Sequence, residues 1–356
     1  AFTFLSDGLQ NLRDTGNNKR GLCYLPDGKK YYELSVKEQT GSARTIPQLQ
    51  KLAQRQIQSD LLTMQKLLNN SSFHKNSEAH SGSVQGTTPG AASDLFKGHG
   101  TEFSSDDPVN ILNTLQDKIS SSFPEPPKVS FEIKYVQEAM EEYLSPAFYM
   151  IPPIDNSGEN VIYINPGHIS DDLTLFTTLA HEGYPGHMYQ TNYFNQHNTC
   201  NLRNVLDFQG YTEGWGTYAE YYAFNLNNGL EENMGQLLQH NSAFTLALYA
   251  LLDINIHYEG WDMDQVNDYL TMYFQIDDPS VISSIYYEVV ENPSNYLSYY
   301  TGYLEFLNMR EEAQQRLGAH FSLLEFNRFL LDIGPAPFSV IRNYFTQWLI
   351  QNGSSN

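Results

Sequence analysis

The sequence predicts a mainly α-helical fold with a small antiparallel β-sheet next to the helix that carries the chain's chemistry. Three observations support this. Apolar residues recur at helical spacing over most of the chain beyond Leu173. The stretch from Val129 to Asn165 changes to the alternation of half-buried strands. After it comes His181-Glu182-Gly183-Tyr184-Pro185-Gly186-His187, which sets two imidazoles and a carboxylate at the end of a helical pattern.

Taken in order, Thr45 to Asn69 is predicted as a helix. Thr45 stands at its N-cap, and Ile46, Leu49, Leu52, Ile57, Leu61 and Leu62 form its apolar stripe. From about residue 70 to 107 the composition turns to Ser, Gly, Asn, Thr and His, the mark of a flexible polar insertion. His74, His80 and His99 fall there without a fixed ligand spacing. A helix is expected from about Pro108 to Ser121, then a break at Phe123-Pro124-Glu125-Pro126-Pro127. Strands are expected at Val129 to Tyr135, Ala147 to Ile151 and Asn160 to Asn165, the last two joined by the turn formers Asp155-Asn156-Ser157-Gly158. Asp171 or Asp172 can cap the motif helix, whose Leu173, Leu175, Phe176 and Leu179 face a core. These elements suggest an N-terminal helical part (1–127) and a catalytic helical part with the sheet (128–356), joined as one structural unit.

Composition narrows the partners. With 356 residues the chain can bury a substantial core, and it contains no run of about 18 apolar residues that would span a membrane. A formal net charge of −21 argues against nucleic acid and anionic membrane surfaces. Two cysteines, Cys23 and Cys200, are too few for a disulfide scaffold, and either one bridge or two buried thiols would fit. Low lysine content and the polar insertion are compatible with an extracytoplasmic location, in the cell envelope or secreted.

In the usual H-E-x-x-H arrangement the two histidines sit at i and i+4 on one helix face, with the glutamate as general base. Here the second histidine is at i+6, which on a regular helix turns it roughly 120° away and about 9 Å along the axis. Pro185 cannot donate to the carbonyl of His181, and Gly186 tolerates unusual dihedrals, so a two-residue bulge is expected to return His187 to the face of His181. A catalytic zinc normally keeps three protein ligands. Glu213, 26 residues beyond His187 at the start of a second helix, is the expected third. Glu220, seven residues later, lies on the same face and stands either behind a histidine or in solvent.

These residues resemble the domain-of-unknown-function family 885, marked by H-E-x-x-P-G-H followed by E-G-W. The likeness runs from about Gly21 to Leu349 and includes Pro146-Ala147-Phe148-Tyr149, Asp253-Ile254-Asn255-Ile256-His257 with Gly260-Trp261, and Pro293 through Gly302. Members are generally longer at the N-terminus, so the resemblance implies the C-terminal catalytic portion of a larger protein. It also implies a helical metallopeptidase-like domain holding one Zn2+ on His181, His187 and Glu213, with Glu182 catalytic. Related helical peptidases steady the reaction intermediate with a late tyrosine, which the resemblance puts at Tyr299, with Tyr303 second. His257 matches a family position and would either meet substrate or be buried and hydrogen-bonded. The chain departs from many members at Tyr300, at Ser294-Asn295 and at Glu288, where they carry lysine, Gly-Gln and arginine.

The expected function is therefore zinc-dependent hydrolysis of a peptide substrate, with the strand at Asn160 to Asn165 as an edge that aligns substrate backbone. Two other readings use the same residues or scaffold. One is a zinc hydrolase of non-peptide amides or esters, the other a non-catalytic surface or interaction protein, against which the retention of Glu182 argues.

Overall fold

A computed structural model describes residues 2–12, 20–70, 107–154, 156, 158–198, 200–226, 230 and 232–353. The polar insertion expected at about 70–107, with His74, His80 and His99, lies outside the described residues apart from its two ends.

The N-terminal helices are α1 (Phe2–Leu12), α2 (Gly28–Thr40), α3 (Ile46–Asn70) and α4 (Pro108–Lys118). Helix α3 begins one residue after Thr45, as its apolar stripe predicts. Helix α4 starts where the Asp107 side chain accepts from the Val109 amide and Pro108 occupies the first turn, a position that needs no N–H. It ends three residues short of the expected Ser121.

Three strands follow: β1 (Phe131–Tyr135), β2 (Ala147–Met150) and β3 (Asn160–Ile164). Strands β2 and β3 are antiparallel, with Ala147 opposite Ile164 and Tyr149 opposite Ile162. The sheet as a whole is mixed rather than antiparallel, because β1 pairs with β3 in parallel and the order is β1-β3-β2. Strand β3, with Val161, Ile162 and Ile164, is the most apolar of the three and takes the centre, where a partner covers each of its edges. That corrects the expectation that Asn160 to Asn165 forms an open edge. The open strand towards the chemistry is β2.

The remaining chain is helical: α5 (Asp172–Glu182), α6 (His187–His197), α7 (Gln209–Ala223), α8 (Glu232–Ile254), α9 (Met263–Phe274), α10 (Pro279–Glu291), α11 (Asn295–Leu317), α12 (Leu323–Ile333) and α13 (Phe338–Gly353). One hydrophobic cluster joins both halves of the chain, from Tyr32 and Leu112 through Trp215 and Phe306 to Leu349. Many tyrosines enter this core because their hydroxyls find acceptors there. Tyr189 donates to the Pro124 carbonyl (2.9 Å) and Tyr211 to the Leu330 carbonyl (2.8 Å).

Helices α7 and α11 share the most extensive helix contact among the described residues. Glycines make it possible: a Cβ on Gly214 would overlap the backbone of Gly302, and one on Gly302 would overlap the carbonyl of Gly210. The close crossing fixes the tyrosine segment of α11 against the glutamate-bearing helix. Cys23 and Cys200 are both free, the first half-buried and the second exposed, so neither a bridge nor two buried thiols is formed.

Candidate metal centre

The site is assembled from three helices and one strand edge. Helix α5 starts where Asp171 accepts from the Thr174 amide at 2.7 Å, and it buries Leu175, Phe176, Leu179 and Ala180 before presenting His181 and Glu182 in its last turn. It stops at Gly183, where any side chain would run into Leu112. The peptide between Tyr184 and Pro185 is cis, and a new helix, α6, begins at His187. The break is therefore complete. The expected two-residue bulge within one helix is replaced by two helices, because Pro185 has no N–H to continue the ladder and a Cβ on Gly186 would collide with the His181 carbonyl.

The end result is the convergence that the bulge was meant to supply. The rings of His181 and His187 lie 4.6 Å apart, nearly perpendicular at 83°. Glu213 projects from the first turns of α7 between them, its Oε2 at 3.6 Å from His181 Nε2 and 3.5 Å from His187 Nε2. All three donor atoms lie within 4.8 Å of one another. Ligands about 2.1 Å from a tetrahedral zinc are about 3.4 Å apart, so the two distances from Glu213 to the imidazoles match a tetrahedron's edges. The donor set, two imidazoles and a carboxylate, also suits that ion.

Residues of the E-G-W segment hold this arrangement. Trp215 donates its indole N–H to the Pro185 carbonyl at 2.8 Å, tying α7 to the loop between α5 and α6. A Cβ on Gly216 would stand 2.5 Å from His181 Nε2, so the glycine leaves room for the ring. Behind His181, Nδ1 meets Glu220 Oε2 at 3.1 Å, which orients the ring with Nε2 towards Glu213. Glu220 thus stands behind a ligand rather than free in solvent. The buried Nδ1 of His187 has no such partner among the described residues.

Charge is concentrated here. Burial opposes the charged form of His181, yet its hydrogen bonds to Glu213 and Glu220 outweigh this and hold its pKa well above 6.5. Burial pushes Glu213 up, and the hydrogen bonds from His181 and His187 outweigh that and bring it far below the usual carboxylate range. Glu182, buried beside them, is raised by burial despite the opposing influence of both imidazoles and of the Tyr149 amide. That amide donates to Glu182 Oε2 at 2.8 Å, fixing one carboxylate oxygen and leaving the other for chemistry. Three glutamates around two imidazoles make a strong attraction for a cation.

The site opens into a cleft of about 410 Å³ bordered by β2, α5, α6, α7 and Tyr299 of α11. The Tyr299 ring lies 6.3 Å from that of His181, and burial together with the charges of Glu213 and Glu182 raises its pKa, which keeps the phenol protonated. Tyr303, one turn further along α11, is buried in an edge-on contact with Tyr221 and does not line the cleft. His257 also lies elsewhere. It is buried, stacked on Tyr32, with Nδ1 accepting from the Leu22 amide at 3.1 Å and Nε2 facing the Val289 carbonyl at 2.8 Å. Both nitrogens are used inside the fold, so His257 has no atom left for substrate. Sequence reasoning missed the Tyr149 amide and the β2 segment from Ser145 to Phe148, which border the cleft through backbone as much as side chains.

Two solved structures share this fold. One, described as the "putative lipoprotein from Colwellia psychrerythraea", superposes with a TM-score of 0.81 at 22% identity, over 98% of this chain and 60% of its own. The other, a "putative lipoprotein of unknown function from Shewanella oneidensis", gives 0.69 at 19% identity, over 97% of this chain and 63% of its own. The chain thus spans about three-fifths of the length of these structures. No curated protein matches it in sequence. A family model described as "Bacterial protein of unknown function (DUF885)" matches residues 1–344, and the chain belongs to that family.

Proposed function

We propose that this protein is a zinc-dependent peptidase. The observation that carries the proposal is the convergence of His181, His187 and Glu213 at tetrahedral separations beside a buried glutamate whose one oxygen is held by the Tyr149 amide. Zinc bound to these residues would polarise a substrate carbonyl and bring the pKa of water towards 7. Glu182 accepts a proton from the attacking water as its oxygen bonds to the peptide carbonyl carbon. The Tyr299 hydroxyl, on the lining of the cleft beside the proposed ligands, donates to the oxygen that gains negative charge. When the C–N bond breaks, Glu182 hands its proton to the departing amine. Glu220 keeps the His181 ring in place throughout.

The solved neighbours described as lipoproteins support a location in the cell envelope, where a peptidase would meet peptides outside the cytoplasm. Among the described residues no helix is long and apolar enough to cross a membrane.

The test is hydrolysis of a mixed peptide pool, with products mapped by mass spectrometry. Cleavage should vanish with a chelator, return with zinc, and be absent in Glu182→Gln loaded with the same metal. Full cleavage by that variant would remove Glu182 from the reaction, and no cleavage by the zinc-loaded wild type would remove the peptidase reading.

A further inference from the structure

Strand β2 has one edge bonded to β3 and one turned to the cleft. In an antiparallel pair, successive residues direct their N–H and C=O alternately towards and away from the partner strand. Asn165 donates to the Pro146 carbonyl at 2.8 Å, which sets Pro146, Phe148 and Met150 towards β3. Ala147 and Tyr149 therefore point their backbone groups into the cleft, in accord with the Tyr149 amide reaching Glu182. With that amide occupied, the Ala147 N–H and C=O and the Tyr149 C=O lie on an edge that no strand covers among the described residues, next to the proposed metal ligands.

Side chains alternate the other way. Ala147 and Tyr149 are buried against the interior, while Phe148 and Met150 stand on the outer face with Val161 and Tyr163 of β3. Phe148 and Tyr163 stack face to face, with ring centroids 5.1 Å apart and planes 12° apart, and Phe148 also borders the cleft. Met150 is 49% exposed beside them. An apolar platform thus continues from the cleft onto the outside of the sheet, at a strand whose unpaired edge faces the chemistry.

We propose that β2 takes an extended peptide substrate as an added strand, and that Phe148, backed by Tyr163, selects a large apolar side chain at the substrate residue paired with it. This rests on the peptidase reading and names the class of peptide it cleaves. A strand laid on this edge places alternate side chains on the outer face, against Phe148, and the others inward towards His181 and Glu182. Glu182, Glu213 and Glu220 in the cleft and the net charge of −21 disfavour an acidic residue close to the cleaved bond.

The test uses zinc-loaded protein and a peptide series that differs at one position at a time, carrying Phe, Leu, Ala, Gly or Asp. One position at a fixed distance from the cleaved bond should favour Phe and Leu over Gly and Asp by about tenfold or more in kcat/KM, the size expected for partial burial of such a side chain. Phe148→Ala should reduce that ratio to about twofold or less, and Phe148→Leu should keep most of it. A scan of N-methylated substrates supplies an independent readout on the unaltered protein. Away from the cleaved bond, methylation should lower kcat/KM at alternate amides, those facing β2, and spare the ones between. Zinc-dependent, Glu182-dependent cleavage with no such preference, or with N-methyl effects that do not alternate, overturns strand docking on β2 and leaves the peptidase reading standing. No cleavage of any peptide overturns both.

Discussion

At the scale of single residues, the proposal assigns Glu182, Tyr299 and Glu220 three separable jobs. Glu182→Gln keeps the shape of the side chain and the acceptor for the Tyr149 amide but removes the base, so zinc binding should persist while kcat falls about 10²- to 10⁴-fold. Tyr299→Phe removes a donor from the cleft and should lower kcat on the order of 10²-fold with zinc content unchanged. Glu220→Ala should act differently, weakening zinc about 10- to 100-fold through a mobile His181 ring, which a competition titration with a chromophoric chelator would measure. His181, Glu182 and His187 are legible in sequence because metal chemistry demands those side chains close together. Glu213 is legible only as a carboxylate at a workable distance along the chain, and Tyr299 only through resemblance. The Tyr149 amide is not legible at all, since every residue but proline carries one. His257 shows a different limit: its family position left substrate contact and a buried, hydrogen-bonded role both open, and only Leu22 and Val289, distant in sequence, decide for the second by engaging both of its nitrogens.

At the scale of elements, the site depends on how α5, α6 and α7 are held at the break in the motif. Trp215 bridges α7 to the Pro185 carbonyl, so Trp215→Phe should cost about 1 kcal/mol for the lost hydrogen bond and should also weaken zinc binding, because Pro185 lies between the two histidine ligands in sequence. Thermal melts with and without zinc would show both effects, with a larger loss in the zinc-loaded protein. The sequence announced a break at Pro185-Gly186 but not its form. Periodicity registers where a helix pattern fails, whereas the choice between a bulge and a restart is made by contacts such as Gly183 on Leu112 and Gly186 on the His181 carbonyl. The strands were found within one residue at most ends, yet their order was not. Alternation of side chains fixes which face of a strand is buried and leaves open which neighbour it pairs with.

At the scale of the whole molecule, α11 is anchored by a buried polar link that reaches back to the N-terminal helices. Asp253, at the end of α8, accepts from the Tyr32 hydroxyl of α2 and from the Ser294 amide at 2.9 Å, just before α11. Burial raises its pKa to about 7, although these two hydrogen bonds partly offset the shift. A carboxyl raised from 3.8 to about 7 on folding contributes stability that is complete below about pH 4 and is lost as pH rises through 7, because the folded state then carries a buried charge. The melting temperature should therefore decline from pH 5 to pH 8, and Asp253→Asn should remove Asp253's share of that slope. Equal slopes in the two proteins would contradict it. The mainly helical fold could be predicted from periodicity, but this long-range link could not, because Tyr32, Asp253 and Ser294 share no local pattern.

The most direct test of the central claim is the X-ray absorption spectrum of zinc bound to the intact chain. His181, His187 and Glu213 as ligands predict a shell of nitrogen and oxygen at about 2.0–2.1 Å with the outer scattering of two imidazoles. A sulfur shell at about 2.3 Å, or scattering from fewer than two imidazoles, would place the metal elsewhere and contradict the account.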